Sequence, residues 1–249
     1  MESFMKKVAI IFIGTSKYLD FFPSYYDSCE KYLFPGHDNQ YFVFTDGDFD
    51  GLLPKNVTVI EQEHLPFPYI TLYRFDIINR SRKRFKDCDY ILFLDADTKI
   101  AQEIELEEIF DGSNSLVGAH HPCHYLNWNP HDVWPGSFET NPKSRAHITK
   151  EDNLEYYWQG CVWGGERKAA LKLAEVLDAR IKEDEKDGVM AKWHDESHLN
   201  RYFLDHSTEL RTLSPSYAYP EIFDEFFKKQ VNLSPKIVHL AKENSVYHT

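Results

Sequence analysis

The stretch Tyr90-Ile91-Leu92-Phe93-Leu94-Asp95-Ala96-Asp97 joins five apolar residues to a pair of aspartates. A short continuous apolar run is typical of a strand that is buried on both faces of a sheet. Because side chains alternate along such a chain, Asp95 and Asp97 are expected on the same side with Ala96 between them. The stretch therefore predicts a buried strand that ends in two neighbouring carboxylates.

Outward from this stretch, further apolar runs alternate with segments of helical spacing. The predicted strands are 8–13, 41–46, 57–60, 90–94 and 236–240, and the predicted helices are 72–85, 167–186 and 195–205. Alternation of this kind, with strands apolar on both faces, favours a single α/β domain built on a parallel sheet. The segment 120–165 is rich in Pro, Trp, Asn, His and Gly and has no sustained period, which is typical of a functional insertion.

The composition excludes several classes of protein. Among 249 residues, 28 Lys and Arg stand against 40 Asp and Glu, which gives a net charge of −12. This balance argues against a nucleic-acid partner or an anionic membrane surface, because both need a basic stripe. Hydrophobic residues make up 42% of the chain, enough for a substantial core. Four cysteines without a Cys-x-x-Cys pair argue against a disulfide framework.

The N-terminal apolar run, 8–14, is far too short for a membrane span. It follows Lys6 and Lys7, as the hydrophobic part of a signal peptide would. No Ala-x-Ala-like cleavage site comes after it, however, and Lys17 and Asp20 follow closely. We interpret the run as a buried strand, and we expect a soluble, cytoplasmic protein without a signal peptide, anchor or transmembrane segment.

The carboxylate pair predicts a metal site. Asp95 and Asp97 would repel each other unless a cation lies between them. A hard divalent ion, Mn²⁺ or Mg²⁺, with further oxygen ligands from a diphosphate, fits such a pair. In an open α/β sheet, ligands bind in the crevice beyond the carboxyl ends of the strands, which is where these aspartates are predicted. The alternative is a solvated Asp-x-Asp turn.

Two motifs resemble those of sugar-transferring enzymes. Phe93-Leu94-Asp95-Ala96-Asp97 resembles the metal-binding Asp-x-Asp of nucleotide-sugar glycosyltransferases with the GT-A fold. Trp193-His194-Asp195-Glu196-Ser197-His198-Leu199-Asn200, with Arg201-Tyr202-Phe203-Leu204 after it, is similar to the hallmark of glycosyltransferase family 6. That family includes the blood-group A and B transferases, the α-1,3-galactosyltransferase and small bacterial and phage members. Shorter matching segments follow the family's order at 43–46, 74–75, 121–122, 156–157, 164–165, 213–217 and 242–243, so the similarity covers 8–244.

The resemblance implies a fold and a reaction. The fold would be a single Rossmann-like GT-A domain with a mixed central sheet over 1–249. Its nucleotide-binding part would span about 1–118, and its acceptor-binding and catalytic part about 119–249. The reaction would be a retaining transfer of a hexose, galactose or N-acetylgalactosamine, from a UDP-sugar to a hydroxyl of a glycan acceptor, the 3-OH. The chain resembles a soluble bacterial or phage member.

The resemblance also implies roles for residues of the donor site. Phe44 and Asp46 would flank the uridine, and Arg74 would lie near the donor sugar and the diphosphate. Asp95 and Asp97 would hold Mn²⁺ or Mg²⁺. Since some bacterial relatives carry asparagines at these two positions and work without metal, the two acids kept here imply metal dependence.

Further implied roles concern the reacting carbon, the tail and the acceptor. Asp195 would hydrogen-bond the donor sugar, and Glu196 would lie beneath its anomeric carbon. Lys242, on a C-terminal tail that closes over the donor, would neutralise the diphosphate. The residues that would line the acceptor pocket are His121, Trp193, Tyr219 and Glu221.

The chain departs from the family pattern where the donor sugar is selected. That stretch, Trp158-Gln159-Gly160-Cys161-Val162-Trp163, is one residue longer than the pattern and includes the bulky Trp158. Gln159, Gly160 and Cys161 are its candidate donor contacts, and the choice between galactose, N-acetylgalactosamine and another hexose stays open. The family's Tyr-Glu-Arg-Arg stretch is present only as Phe138-Glu139-Thr140-Asn141.

Other metal chemistry is possible at several histidines. His194 and His198 have the i, i+4 spacing of a zinc hydrolase, but such a site needs Glu directly after the first His, where this chain has Asp195. A structural zinc site could use a second cluster, which comprises His120, His121, Cys123 and His124 with His131 beyond. His239, close to Lys242 on the predicted last strand, could also reach the Asp95 and Asp97 metal.

A non-catalytic alternative is a carbohydrate-binding module that stacks Trp128, Trp134 and Trp158 on sugar rings. Core packing is the commoner role of such aromatic residues. Glu196 together with the aspartate pair favours an enzyme, since a lectin needs no diphosphate–metal site.

Overall fold

The computed structural model describes residues 5–49, 51–125, 137–230 and 233–247. Its strands are β1 (Lys7–Ile13), β2 (Asp38–Thr45), β3 (Val57–Glu61), β4 (Tyr90–Leu94), β5 (Thr98–Ile100), β6 (Leu116–His120), β7 (Trp158–Glu166), β8 (Leu210–Leu213), β9 (Tyr219–Pro220) and β10 (Ile237–His239). Its helices are α1 (Phe22–Tyr32), α2 (Tyr69–Leu72), α3 (Arg74–Arg80), α4 (Leu106–Ile109), α5 (Pro122–Tyr125), α6 (Arg167–Lys186), α7 (His194–Asp205), α8 (Asp224–Gln230) and α9 (Asn244–Tyr247). Short 3₁₀ turns occupy Ser16–Phe21, Arg82–Phe85, Ser207–Glu209, Pro215–Tyr217 and Glu221–Phe223.

Seven strands form a mixed sheet in the order β3-β2-β1-β4-β7-β6-β8. The strands β3, β2, β1 and β4 are parallel to one another, whereas β7 is antiparallel to both of its neighbours. β4 and β7 approach closely at Gly164, where a Cβ would lie 2.3 Å from the backbone oxygen of Ile91. Only glycine fits at that contact, so the close approach of β4 and β7 explains why position 164 of the Gly164-Gly165 pair is glycine.

The large sheet is packed on both faces, as the two-sided apolar runs predict. On one face Ile10 and Phe12 of β1 pack in a cluster that includes residues of α1, and on the other Ala9 and Ile11 pack in a cluster with residues of α3 and α6. These four side chains are fully buried. Burial of a large apolar side chain contributes about 1.5–3 kcal/mol to the stability of the fold. Because the side chains of β1 alternate between the two faces, the strand stabilises the packing of the helices on both of them.

The sequence predictions for the regular elements can be compared with the structure directly. The predicted strand 90–94 and helix 167–186 are confirmed as β4 and α6, and 195–205 is α7, which begins one residue earlier. The predicted helix 72–85 is instead divided into α2, α3 and a 3₁₀ turn, because Tyr73 leaves the helical region with ψ near 9°. The sheet is mixed, as the resemblance implies, and not purely parallel as the strand–helix alternation favours, because β7 forms within the segment that showed no period and is antiparallel to its neighbours.

The carboxyl ends of β1, β2 and β4 meet at one edge of the large sheet. Beyond this edge lies a second sheet in the order β5-β10-β9, and Asp95-Ala96-Asp97 connects β4 to β5. Crevices at this edge are the usual ligand sites of open α/β sheets. Among the described residues, no helix has the length and apolar character needed to span a membrane.

Candidate active site

Two adjoining cavities lie at the carboxyl edge of the large sheet. Their volumes are about 230 Å³ and 150 Å³, and the residues that line both are Phe67, Thr71, Arg74 and Asp95. The larger cavity also contains Asp97 and Lys242, and the smaller one Asp195 and Glu196. The aspartate pair and the Asp195-Glu196 pair therefore open onto connected space.

The aspartate pair forms a cluster of possible metal ligands with His239. One oxygen of Asp95, one oxygen of Asp97 and one ring nitrogen of His239 lie within 4.8 Å of one another. Asp97 is buried and Asp95 is half-buried. Two carboxylates and an imidazole at this spacing suit a divalent cation, so the residues present fit the metal that the resemblance implies.

Arg74 connects the metal cluster to the second pair of acids. Its guanidinium lies 3.1 Å from an oxygen of Asp95 and 3.1 Å from an oxygen of Asp195, and it donates a 2.9 Å hydrogen bond to the carbonyl of Gly160. It also lies over the ring of Phe93. Arg74 and Asp195 are both buried, and removing one partner of such a pair costs about 3–5 kcal/mol. Arg74 therefore fixes the position of both acids.

Glu196 lies in the first turn of α7, and its carboxylate is held by two donors from other parts of the chain. The hydroxyl of Tyr157 donates to one oxygen at 2.7 Å, and the backbone N–H of Gly160 donates to the other at 2.7 Å. His194, which begins the helix, has φ 49°. That left-handed conformation costs a non-glycine residue about 1–2 kcal/mol. The turn into α7 is thus strained beside the two acids.

The two acids of α7 are hard to ionise in the free protein. Burial raises the pKa of Glu196 to about 7, although the donors Gly160 and Tyr157 oppose the shift. Burial also raises the pKa of Asp195 to about 6, against the opposing charge of Arg74. Acids with raised pKa values in a cavity are typical of catalytic sites.

The stretch expected to select the donor sugar lies at the smaller cavity. Gln159, Gly160 and Cys161 line it, whereas Trp158 is buried in the core, packs against Phe203, and donates from its indole to Thr212. The bulk of Trp158 therefore does not limit the donor space. A Cβ on Gly160 would lie 3.3 Å from the Cβ of Glu196, so a side chain there would crowd the carboxylate.

Lys242 follows β10 and reaches the larger cavity. Its ammonium forms an ion pair with Asp97 and lies over the ring of Tyr18. Tyr247 of α9 also packs against Tyr18, with ring centroids 5.3 Å apart. Glu221 accepts a hydrogen bond from the backbone of Ala241 at 2.8 Å, so it anchors the same segment. Four contacts thus hold this tail over the metal cluster.

Five residues with an implied ligand contact line neither cavity: Phe44, Asp46, His121, Tyr219 and Glu221. Phe44 is buried in the core, because alternation along β2 turns its ring into a helix-covered face. Tyr219 is buried too, and its hydroxyl donates to Asp224 at 3.0 Å. Asp46 lies at the edge of the sheet and accepts a 2.7 Å hydrogen bond from the backbone of Ser16.

The implied acceptor residues His121 and Trp193 lie near Glu196. Trp193 is exposed and lines the smaller cavity. The ring of His121 packs edge-on against that of Tyr157, which is the residue bonded to Glu196. Burial lowers the pKa of His121 to about 3, with the neighbouring His124 adding to the effect. His121 is therefore neutral at physiological pH.

The alternative metal and lectin sites are not assembled by the described residues. His198 is buried against Asp184, whereas His194 contacts the ring of Phe67, and within the described ranges the two histidines belong to no cluster of three metal ligands. His120 and His124 hydrogen-bond each other at 2.9 Å, and within the described ranges they join no cluster of three metal ligands. The remaining residues of those alternatives, His131, Trp128 and Trp134, lie outside the described residues.

Sequence reasoning missed the role of Tyr157. It noted the residue only as part of a matching Tyr-Tyr pair, yet the structure shows its hydroxyl bonded to Glu196. The two residues are 39 positions apart in the sequence. Tyr157 directly precedes β7, and Glu196 lies on α7. No local pattern in the sequence predicts such a contact, because it forms only when α7 packs against β7.

Comparisons with known proteins were consistent with one family. The family model described as Glycosyltransferase family 6 matches residues 3–246. The O-antigen biosynthesis glycosyltransferase WbnI of Escherichia coli is 30% identical over 244 residues, which is 97% of each chain. The Histo-blood group ABO system transferase 1 of Rattus norvegicus is 28% identical over 222 residues, covering 86% of this chain and 61% of the relative. The Globoside alpha-1,3-N-acetylgalactosaminyltransferase 1 of Homo sapiens is 26% identical over 222 residues, again 86% of this chain and 61% of the relative. This chain therefore spans about three fifths of the length of these animal relatives.

Proposed function

Since this chain belongs to glycosyltransferase family 6, we propose that it transfers a hexose from a UDP-sugar to a hydroxyl of a glycan, with retention at the anomeric carbon. The observation that carries the proposal is the arrangement of two acid pairs on connected cavities. Asp95 and Asp97 are suited to a metal–diphosphate group, and Glu196 opens onto the adjoining space where the sugar would lie.

The environment of Glu196 supports a retaining mechanism. Retention proceeds through two displacements with a carboxylate nucleophile, or through attack on the same face as the leaving group. Both routes gain from a negative carboxylate beneath the anomeric carbon. Tyr157 and Gly160 donate to the two oxygens of Glu196, so they hold the group in place and stabilise its anion.

The leaving diphosphate would meet cationic side chains. Arg74 and Lys242 both line the larger cavity, and each is paired with an aspartate of the metal cluster. Charge develops on the diphosphate as the glycosidic bond breaks, and fixed cations stabilise it. A divalent metal held by Asp95 and Asp97 would supply further neutralisation of that charge.

The donor sugar and the acceptor would occupy the smaller cavity. We propose that Asp195 hydrogen-bonds the sugar and that Gln159, Gly160 and Cys161 select galactose or N-acetylgalactosamine. Trp193 and His121 would contact the glycan acceptor, and the names of the globoside relatives support its 3-OH as the nucleophile. Residues 1–118 would serve the nucleotide, and 119–249 the acceptor and catalysis.

A donor screen tests the proposal. With Mn²⁺ present, we expect UDP release from UDP-galactose or UDP-N-acetylgalactosamine to exceed release from UDP-glucose and UDP-N-acetylglucosamine. GDP-mannose is the control for nucleotide recognition and should yield no GDP. The absence of UDP release from all four uridine donors would contradict the proposal, and so would equal turnover of GDP-mannose.

A further inference from the structure

The carboxylate of Glu139 joins two segments that are far apart in the sequence. Glu139 is buried, and its two oxygens accept the backbone N–H groups of Asn141 and Lys192, each at 2.6 Å. The stretch 138–141 that contains it has no role among the residues assigned to the donor, the metal or the acceptor. We propose that Glu139 is a positioning residue, which holds the turn into α7 and thereby keeps Glu196 in place for hexose transfer. The inference rests on the proposed function for the catalytic role of Glu196.

The turn that Glu139 holds carries backbone strain. Lys192 is followed by Trp193 and then by His194, whose φ of 49° lies in the left-handed region. Glu196 donates its backbone N–H to the carbonyl of Trp193 at 2.9 Å, so the position of the acid follows that of the turn. A strained conformation persists only where the surrounding contacts over-determine it. The hydrogen bond from Lys192 to Glu139 is such a contact, because it ties the turn to another part of the fold.

The segment 138–148 is itself fixed by buried contacts. Ile148 is fully buried and donates its backbone N–H to the carbonyl of Glu139 at 2.7 Å. The hydroxyl of Ser144 donates to the buried carboxylate of Asp184 on α6 at 2.6 Å. The segment is therefore held against α6, and it can serve as a support for the turn.

A second contact from the same segment reaches Glu196. The ring of Phe138 packs edge-on against that of Tyr157, with centroids 5.3 Å apart. Tyr157 in turn donates its hydroxyl to Glu196 at 2.7 Å. Because Phe138 and Glu139 are adjacent, one support fixes both the backbone that carries Glu196 and a donor to its carboxylate. Misplacement of a reacting group by about 1 Å can cost about a hundredfold in rate, so this support matters for turnover.

A carboxylate suits the two groups that converge on position 139. It offers acceptor oxygens only, and both of its partners are backbone N–H donors. A glutamine would place its NH₂ against one of these donors, and a methionine would offer neither of them an oxygen. Glu139 lines neither of the two cavities, so replacing it leaves the ligand contacts of the site in place.

A double-mutant cycle on kcat tests the inference. Glu139→Met, which keeps a similar volume and removes both acceptor oxygens, is made alone and together with Glu196→Gln. Transfer is measured at saturating donor and acceptor, at a temperature where circular dichroism shows every variant folded, and UDP affinity is measured by calorimetry. The control is Asp178→Asn, which alters another buried carboxylate that pairs with Lys182 and lines neither cavity.

We expect Glu139→Met to lower kcat by about tenfold or more while the affinity for UDP is unchanged. In the Glu196→Gln background, the same change should lower kcat by less than about twofold, because residues that act through one another are not additive. Asp178→Asn should lower the melting temperature and leave kcat near the wild-type value. A residue that served stability alone would behave like this control.

Wild-type kcat in Glu139→Met, or an equal fold loss in both backgrounds, would overturn the inference and leave the role of Glu196 intact. If Glu139→Met does not fold, Glu139→Gln, which keeps the shape and one acceptor oxygen, replaces it in the cycle under the same two criteria. Turnover by Glu196→Gln within about tenfold of the wild type would instead refute catalysis by Glu196, and this inference with it.

Discussion

Glu196→Gln is expected to lower kcat for hexose transfer by about a thousandfold or more, while UDP and Mn²⁺ binding are retained. The reason is that the reaction needs a negative charge, or a nucleophile, beneath the anomeric carbon, and an amide supplies neither. The hydrogen bonds can persist, because the Gln carbonyl accepts from Gly160 and its NH₂ donates to the hydroxyl of Tyr157. Single-turnover transfer and isothermal titration with UDP separate the two effects.

The raised pKa of Glu196 gives this prediction a pH dependence. Burial raises the pKa from 4.5 to about 7, so the anion is lost as the pH drops below about 7, and kcat/KM should fall with it. Between pH 4.5 and about 7, Glu196 still holds a proton in the folded protein, whereas in the unfolded chain it has released that proton. The stability present at low pH is therefore lost as the pH rises through about 7. At pH 8 the Gln variant should melt at a temperature at least as high as the wild type.

Glu175→Gln, on the exposed surface of α6, is the control for the amide substitution. If the only role of Glu196 were to stabilise α7 through the helix macrodipole, its replacement would cost no more than about 1 kcal/mol of stability and would leave turnover nearly normal. Transfer by Glu196→Gln within tenfold of the wild-type rate would therefore refute the catalytic role.

Asp97→Asn is expected to abolish Mn²⁺-dependent donor binding and to lower kcat/KM by about a hundredfold or more. Asp97 is the buried member of the metal cluster, and asparagine keeps its shape while removing the charge that a hard cation needs. The same change leaves Lys242 without its ion-pair partner, so a modest fall in melting temperature should accompany it. Donor binding is measured by calorimetry at fixed Mn²⁺.

Asp89→Asn is the matched control, since Asp89 lies at the amino end of β4 and Asp97 lies beyond its carboxyl end. The carbonyl oxygen of the new amide can still accept the hydrogen bond that the backbone N–H of Lys7 donates to this side chain. Chelation by EDTA should reproduce the loss in the wild type, and added Mn²⁺ should restore it. Wild-type transfer that is unchanged by EDTA would disprove metal dependence.

The strands could be predicted from sequence where both of their faces are buried. Ile91 and Leu92 face opposite layers of the core, so β4 is apolar at every position. The first and last residues of the strand can therefore be predicted from the apolar run in the sequence. β7 was missed because it begins at Trp158 inside a segment of mixed composition, and its antiparallel position depends on pairing with β4 across more than sixty residues. Such pairing is decided by tertiary packing rather than by a local period.

The site could be predicted where a motif carries the chemistry within a few residues. Asp95 with Asp97, and Asp195 with Glu196, are examples, and the structure brings both pairs to connected cavities. The resemblance does not reveal which way a side chain faces, so it implies a uridine contact for Phe44 although the ring lies in the core. Contacts that cross the fold, such as Arg74 with both acid pairs, required the three-dimensional arrangement.

The central claim is retaining transfer of a hexose from a UDP-sugar, and the configuration of the new bond tests it most directly. The product formed from the best donor of the screen and a galactose-terminated acceptor is examined by proton NMR during the first turnovers. The account predicts an α-linked hexose, recognised by the small coupling between its H1 and H2, with one UDP released for each bond formed. A β-linked product, with the large coupling, would contradict it.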